Sequence, residues 1–233
     1  MKISCVSSVY GKAFHQVTYA WYQRNSKYLP NTVKFYLVSL DGKTNKDLIS
    51  SVKYTFLDTG KDNKSLGWGD GDLSRLEKIS SLCANGSVSV HLDLDLALLK
   101  DISPILKLPY DFIISRAFAF PKHTVEKIGF VGCTGFYIAK PESLPLLDYW
   151  IKEMKRKSQV DQQSLNEIFE DLTWNTVKIN LDNQEYKHAI SSWNNISLLV
   201  LDTDALPRGM KKQSKKSYGV HNPKVMKEFW KVD

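Results

Sequence analysis

The chain has 233 residues, of which 42% are hydrophobic and 24% are charged. These values are ordinary for a globular protein, so the composition excludes a chain that is disordered throughout. The 32 lysine and arginine residues outnumber the 25 acidic residues and give a net charge of +7. This excess favours anionic partners such as nucleotides, phosphates, nucleic acid or an acidic membrane surface.

The three cysteines are too few and too scattered for a disulfide framework or a cysteine metal site, which indicates a reducing compartment. The N-terminus lacks the apolar region of a signal peptide, and no stretch of ~20 apolar residues is available to span a bilayer. We therefore expect a cytoplasmic protein. Its lysine clusters, at 152–157 and 211–231, are also compatible with peripheral membrane association.

The first half of the chain alternates short apolar segments with segments of helical periodicity. The predicted strands cover 2–8, 33–40, 52–57 and 87–92, and the predicted helices cover 13–28 and 73–84. A glycine-rich polar loop is predicted between 58 and 71. This alternation predicts an α/β fold with a mixed, mostly parallel sheet flanked by helices, in which ligands bind beyond the carboxyl ends of the strands.

The second half of the chain is less regular. Its predicted strands cover 111–115, 129–138, 177–181 and 196–201, and its predicted helices cover 141–156 and 161–171. The remaining tail is polar and rich in lysine. Because there is no internal repeat and no clean linker, we expect a single domain over 1–233, with 204–233 as a basic C-terminal segment.

Two aspartates, Asp93 and Asp95, follow the apolar strand predicted at 87–92. Alternate strand residues share a face, so the two carboxylates can point the same way. Such a pair is costly to desolvate unless a cation lies between them, and Mg²⁺ or Mn²⁺ prefers these oxygen ligands together with substrate phosphates. The alternative is a pair of solvated turn aspartates, with Asp95 capping a helix.

The segment His91–Asp101, with sequence HLDLDLALLKD, resembles the Asp-x-Asp region of GT-A fold glycosyltransferases. It is most similar to the glycogenin and lipopolysaccharide galactosyl- and glucosyltransferase type, and to some large-virus and bacterial sugar transferases. The resemblance implies that Asp93 and Asp95 bind a divalent metal, Mn²⁺ or Mg²⁺, and that 93–95, including Leu94, contact the nucleotide sugar. It also implies that Arg75 contacts the donor, whereas its alternative is an exposed helix arginine.

Two downstream segments extend this resemblance. Gly132–Ile138 is similar to an Asn-Ser-Gly segment beside the donor sugar, although Cys133 and Thr134 replace Asn and Ser, so Thr134 is the candidate for that contact. Asp161-Gln162 begins a segment similar to the Asp-Gln-x-x-Leu-Asn helix start, whose first two residues lie at the reaction centre. A simple N-cap is the alternative for Asp161.

The tail completes the pattern. Residues 219–227 are similar to a late motif that supplies a third metal ligand and diphosphate contacts, which implies these roles for His221, Lys224 and Lys227. Lys224 stands where the family usually has glycine. Ser7 and Tyr10, after the first strand, are candidate base or ribose contacts, and an ordinary strand–loop junction is their alternative.

The expected function is metal-dependent transfer of a sugar from a nucleotide-diphosphate sugar, with UDP-sugar favoured, to a carbohydrate or glycoconjugate acceptor. The metal would stabilise the leaving diphosphate, the basic tail would close over the donor, and Asp161 or Asp72 would serve as base in an inverting enzyme. The resemblance leans towards a retaining enzyme.

The sequence leaves three alternatives to glycosyl transfer open. A sugar-nucleotide nucleotidyltransferase would share the fold and the metal, but 6–12 is not the glycine-rich basic loop typical of that class. A basic nucleic-acid-binding protein or nuclease would explain the lysines, although no named nucleic-acid module is present and no nucleic acid is expected. The third rival is an inactive carbohydrate-binding protein.

Overall fold

The structure is a computed structural model that describes residues 2–9, 12–39, 54–58, 68–208 and 215–221. These residues contain eleven strands and six α-helices. The strands are β1 (Lys2–Val9), β2 (Lys34–Ser39), β3 (Tyr54–Asp58), β4 (Ser87–Leu92), β5 (Leu96–Leu98), β6 (Phe112–Ala117), β7 (Val131–Ala139), β8 (Asn175–Leu181), β9 (Gln184–Trp193), β10 (Ile196–Val200) and β11 (Gly219–His221). The helices are α1 (Lys12–Asn25), α2 (Trp68–Ala84), α3 (Ser103–Leu106), α4 (Lys122–Ile128), α5 (Leu144–Lys157) and α6 (Asp161–Phe169).

Nine strands form one mixed sheet in the order β3-β2-β1-β4-β7-β6-β10-β9-β8. The pairs β3–β2, β2–β1, β1–β4 and β6–β10 are parallel, and the other four pairs are antiparallel. Seven strands therefore run in one direction, and only β7 and β9 run against them. The expected mixed, mostly parallel α/β sheet is confirmed, and β1, β4, β6 and β10 all end at the same edge.

Apolar side chains cover both faces of this sheet. The strand β1 illustrates the alternation, because Cys5 faces the core on the α1 side and Val6 faces the core on the other side. The helix α5 buries Leu146, Trp150 and Met154, which lie at helical spacing, while most of its exposed residues are charged. No helix among these ranges combines the length and the apolar character that crossing a bilayer requires.

The predicted helices have different bounds in the structure. The helix α2 begins at Trp68, inside the segment predicted as a glycine-rich loop. The predicted helices at 13–28 and 141–156 each divide into an α-helix and a short 3₁₀ turn, at Ser26–Tyr28 and Pro141–Ser143. Short 3₁₀ turns are common at both ends of α-helices.

The long strand β9 was not predicted. It joins β8 and β10 through two-residue turns at Asp182-Asn183 and Asn194-Asn195, whose four residues all have positive φ. Asn and Asp tolerate this left-handed conformation, and such turns match the twist of a hairpin. The polar residues between these turns therefore form a strand rather than a loop.

A second, two-stranded sheet pairs β5 with β11 in antiparallel register, and Leu96 lies opposite His221. A side chain at Gly219 would come within 3.1 Å of the Ala97 carbonyl, so the chain passes close to β5 at this point. This pairing joins residues more than 120 positions apart. It brings the C-terminal part of the described chain against the segment that directly follows the Asp-x-Asp motif.

Candidate active site

The two aspartates of the motif lie in a turn beyond the end of β4, not within the strand itself. The Asp93 backbone N–H donates to the Gly135 carbonyl (2.9 Å), and the indole N–H of Trp21 donates to the Asp93 carbonyl (3.1 Å). The Leu94 side chain is buried in the core. The turn is therefore anchored from three sides, and both acidic side chains remain partly exposed. No helix follows Asp95, so the capping alternative does not apply.

His221 completes a cluster of three potential metal ligands. Its Nε2 lies 3.0 Å from Asp95 Oδ1 and 3.6 Å from Asp93 Oδ2. One ligand atom from each of the three residues lies within 4.8 Å of the others. Two carboxylates and an imidazole suit Mn²⁺ or Mg²⁺. The residues present therefore fit a divalent cation.

The imidazole of His221 occupies a niche formed by β7. A Cβ atom at Gly135 would lie 2.2 Å from His221 Cε1, so only glycine leaves room for the ring. On the other side, Cys133 Sγ lies 3.4 Å from Nδ1, so that Nε2 faces the aspartates. A second contact that fixes the ring in this way is typical of metal-binding histidines.

The charge on His221 depends on the same neighbours. Burial disfavours the protonated ring, but Cys133 and Asp95 outweigh it and raise the pKa of His221 well above its usual value. Burial alone would raise the pKa of Asp93. The hydrogen bond from His91 and the charge of Arg75 outweigh this effect, so the pKa of Asp93 falls below its usual range. A cation that binds at Nε2 must therefore displace a proton from His221.

Arg75 lies at the centre of a buried charge network beside this cluster. Its guanidinium forms an ion pair with Asp161 and further pairs with Asp72 (3.3 Å) and Asp93 (3.5 Å), and it donates to the Ser8 hydroxyl (3.3 Å). Burial disfavours its charge, but Asp161 and Asp72 hold the pKa of Arg75 above its usual value. The exposed-arginine alternative is therefore wrong, since the side chain is 4% exposed.

The carboxylates of this network have different surroundings. Asp161 is the first residue of α6, is 5% exposed, and accepts a hydrogen bond from the Thr134 hydroxyl (3.0 Å). The N-cap position belongs to Val160, so a simple cap does not describe Asp161. Burial and the neighbouring Asp161 carboxylate together raise the pKa of Asp72 to about 7, although Arg75 opposes the rise.

The structure brings the side chains of seven predicted site residues together, and three further predicted site residues have other surroundings. The seven are Asp72, Arg75, Asp93, Asp95, Thr134, Asp161 and His221. The side-chain amide of Gln162 donates to the Phe120 carbonyl, the Leu94 side chain lies in the core, and the buried Ser7 hydroxyl has no hydrogen-bond partner among the described residues. Tyr10, Lys224 and Lys227 lie outside the described residues, as does most of the basic C-terminal segment.

The sequence did not identify three residues that contact the candidate metal ligands. His91 lies under Asp93 and contacts its Oδ1 (2.9 Å), while its Nδ1 lies 2.9 Å from the Val6 carbonyl. Burial and Arg75 lower the pKa of His91. Cys133 and Gly135 contact His221. A signal was present for His91, because a histidine within an apolar central strand needs a polar partner.

The mixed sheet, with an acidic cluster beyond the end of a central strand, defines a protein of the nucleotide-sugar transferase class. A model of the nucleotide-diphospho-sugar transferase family matches residues 48–232. The chain belongs to this family, and it is a glycosyltransferase of the GT-A type. No curated protein sequence matches the chain.

Solved glycosyltransferases share the fold at low sequence identity. The galactosyltransferase LgtC, solved with donor and acceptor sugar analogues, has a TM-score of 0.59 and 11% identity over 95% of this chain and 87% of its own. An active-site glutamine-to-glutamate mutant of LgtC gives a TM-score of 0.62 at 10% identity, with the same coverage. GlyE from Streptococcus pneumoniae TIGR4 gives 0.51 at 15% identity over 73% of this chain, which spans only 44% of GlyE.

Proposed function

We propose that the protein transfers a sugar from a nucleotide-diphosphate sugar, with UDP-sugar the expected donor, to a carbohydrate or glycoconjugate acceptor, and that it requires a divalent cation. The observation that carries this proposal is the convergence of Asp93, Asp95 and His221 at the carboxyl edge of the sheet. Strands from both halves of the chain build one sheet, which supports a single domain over 1–233.

Asp93, Asp95 and His221 would hold Mn²⁺ or Mg²⁺ against the diphosphate. A bound divalent cation stabilises the negative charge that develops on the leaving diphosphate. The anchored turn keeps both carboxylates at the mouth of the site, so little reorganisation is needed when the donor binds. Lys224 and Lys227 remain proposed diphosphate contacts, and Ser7 and Tyr10 remain proposed nucleoside contacts.

Arg75 is better suited to a positioning role than to the direct donor contact that the sequence suggested. Its guanidinium is buried and already contacts Asp72, Asp93 and Asp161. Because it contacts a metal ligand and both candidate bases at once, it fixes the distance between the metal end and the reaction end of the site. Asp161, which pairs with Arg75 and accepts a hydrogen bond from Thr134, and its neighbour Gln162 are the proposed reaction-centre residues.

Asp72 is the residue best suited to exchange a proton with the acceptor hydroxyl. A carboxyl group whose pKa is about 7 is present in both protonation states at neutral pH, which favours acid–base catalysis. Its side chain is 18% exposed, so a small acceptor group has access to it. Asp161 lacks this access and would act on the donor side.

The test is a thermal-shift screen of UDP-, GDP- and dTDP-sugars with and without Mn²⁺. A ligand at 100 times its Kd should stabilise the folded state by about 2.7 kcal/mol. We expect one nucleotide class to raise the melting temperature only when Mn²⁺ is present, and Asp95→Asn to remove that increment. Pyrophosphate release from a nucleoside triphosphate would instead favour the nucleotidyltransferase, and salt-sensitive nucleic-acid binding without a nucleotide-sugar shift would favour the nucleic-acid alternative.

A further inference from the structure

A cavity of about 260 Å³ is lined by Pro207 and Arg208, which lie next to the backbone of the candidate metal ligand His221. One wall is the end of β6 and the turn after it, and the other is the segment that follows β10. The residues that matter for its chemistry are Arg116, Phe118, Ala119, Thr203, Asp204 and Arg208. Pockets for drug-sized ligands usually measure about 300–1,000 Å³, so this cavity suits a ligand near the size of one sugar residue.

The cavity is connected by hydrogen bonds to both ends of the reaction centre. The His221 backbone N–H donates to the Pro207 carbonyl (3.1 Å), and Arg208 forms an isolated β-bridge with His221. Next to the other wall, Gln162 donates to the carbonyl of Phe120, which directly follows the lining residue Ala119. Because β6 and β10 are parallel and end at the same edge as β4, an acceptor in this cavity would lie next to the donor.

The exposed ring of Phe118 lines the wall formed by the end of β6, and the exposed ring of Phe120 lies two residues further along the chain, outside the residues that line the cavity. Phe118 is 56% exposed and Phe120 is 48% exposed, and they are two of the three large hydrophobic side chains that are exposed within the described ranges. The third, Tyr149, packs against Trp193 elsewhere. Clustered exposed apolar groups usually mark a binding surface, and flat aromatic rings offer a face for the C–H side of a sugar ring.

The charges in the cavity favour an anion. Arg116 and Arg208 line it, opposed by a single carboxylate, Asp204. Arg116 is held in place, because its guanidinium lies 5.0 Å from the centre of the Phe130 ring and donates to the Val200 carbonyl (3.4 Å). Arg208 is exposed, and within the described part of the chain it forms no ion pair. Its guanidinium is therefore available to form bidentate hydrogen bonds with a phosphate or carboxylate.

We propose that this cavity is the acceptor site and that it selects a sugar bearing an anionic substituent, a phosphate or a carboxylate. This inference rests on the proposed function and names the acceptor class for the same site. Phe118 holds the sugar ring, Arg208 binds the anionic group, and Arg116 supplies a fixed second positive charge. Selection between neutral and anionic acceptors then depends on Arg208 more than on Phe118.

The test uses glucose, glucose 6-phosphate and glucuronate as probes, titrated by NMR into the full chain saturated with Mn²⁺ and the nucleoside diphosphate of the donor screen. We expect the two anionic probes to bind at least about tenfold more tightly than glucose, because hydrogen bonds to charged groups are the stronger ones. Arg208→Gln should abolish this preference, and Phe118→Ala should weaken all three probes. Lys178→Gln, which removes one exposed positive charge from the edge strand β8, is the matched control and should keep the preference.

Three results would overturn the acceptor proposal: equal affinity for glucose and the anionic probes, an unchanged preference in Arg208→Gln, or a loss of nucleotide binding in that variant. The last result would assign Arg208 to the donor diphosphate. Binding of inorganic phosphate as tightly as glucose 6-phosphate would show that the sugar ring is not recognised and would also refute the proposal. Failure of the wild-type chain to bind any nucleotide with Mn²⁺ refutes the proposed function instead, so the two failures are distinguishable.

Discussion

Replacement of Gly135 by alanine should destroy the metal site while leaving the fold intact. The added Cβ would lie 2.2 Å from His221 Cε1, 2.7 Å from Nδ1 and 2.8 Å from Nε2. Ordinary van der Waals contact begins near 3.4 Å, so the ring has to withdraw by more than about 1 Å. Metal–ligand distances tolerate only about 0.2 Å, and His221 is therefore lost as a ligand.

We expect this loss to weaken Mn²⁺ binding by roughly 10- to 100-fold, which is the range seen when the support of a metal ligand is removed. Electron paramagnetic resonance of free Mn²⁺ measures the affinity directly and does not depend on turnover. The backbone at Gly135 is not in the left-handed region, so alanine adds steric conflict without backbone strain.

Gly132→Ala is the matched control on the same strand. Its Cβ would lie 2.8 Å from the Phe169 ring and 3.1 Å from Ile114, in the core and away from the cluster. Both variants should lose about 1–3 kcal/mol of stability through overpacking, but only Gly135→Ala should lose Mn²⁺ affinity. Equal Mn²⁺ affinity in the wild type and Gly135→Ala would refute the assignment of His221 as a ligand.

Three further predictions concern the surroundings of the cluster. Cys133→Ala should weaken Mn²⁺ binding by roughly tenfold because it removes the Nδ1 partner of His221. Cys133→Ser should restore most of the Mn²⁺ affinity. Equal Mn²⁺ affinity in the wild type and Cys133→Ala would exclude a role for Cys133 in holding His221. Arg75→Met should lower the free energy of unfolding in urea by about 3–5 kcal/mol because buried carboxylates lose their counter-charge, with a smaller loss for Arg75→Lys. Burial lowers the pKa of His188 to about 4, whereas its pKa in the unfolded chain is near 6.5. The contribution of His188 to the free energy of unfolding is therefore complete above pH 6.5 and is lost as the pH falls towards 4. The loss should reach roughly 2–3 kcal/mol, and His188→Gln should flatten that part of the stability–pH curve.

The sequence predicted the local parts of this site well. The strand β4 has the predicted bounds, Ser87–Leu92. Its valines alternate with small residues between two turn signals, and this pattern is typical of a short strand. The Asp-x-Asp pair directly follows β4, Asp161 begins α6, and Arg75 lies within α2, so a regular element positions each of them. Their chemistry and their approximate places could therefore be read from periodicity together with resemblance.

The parts that escaped prediction depend on contacts between distant residues. β5 and β11 are only three residues long, and each is a strand only because the other is present. The contacts of Cys133 and Gly135 with His221 likewise require β11 to dock first. By contrast, β9 was missed although its turn residues carried a local signal, the pairs Asp182-Asn183 and Asn194-Asn195.

The central claim is that Asp93, Asp95 and His221 bind the cation on which sugar transfer depends. The most direct measurement is the release of nucleoside diphosphate from the donor identified by the thermal-shift screen, in Mn²⁺ and after chelation, for the wild type and Asp95→Asn. We predict release that requires Mn²⁺ and is abolished by Asp95→Asn, while the variant retains the wild-type unfolding transition without ligand. Undiminished release in the presence of the chelator, or in Asp95→Asn, would contradict the claim.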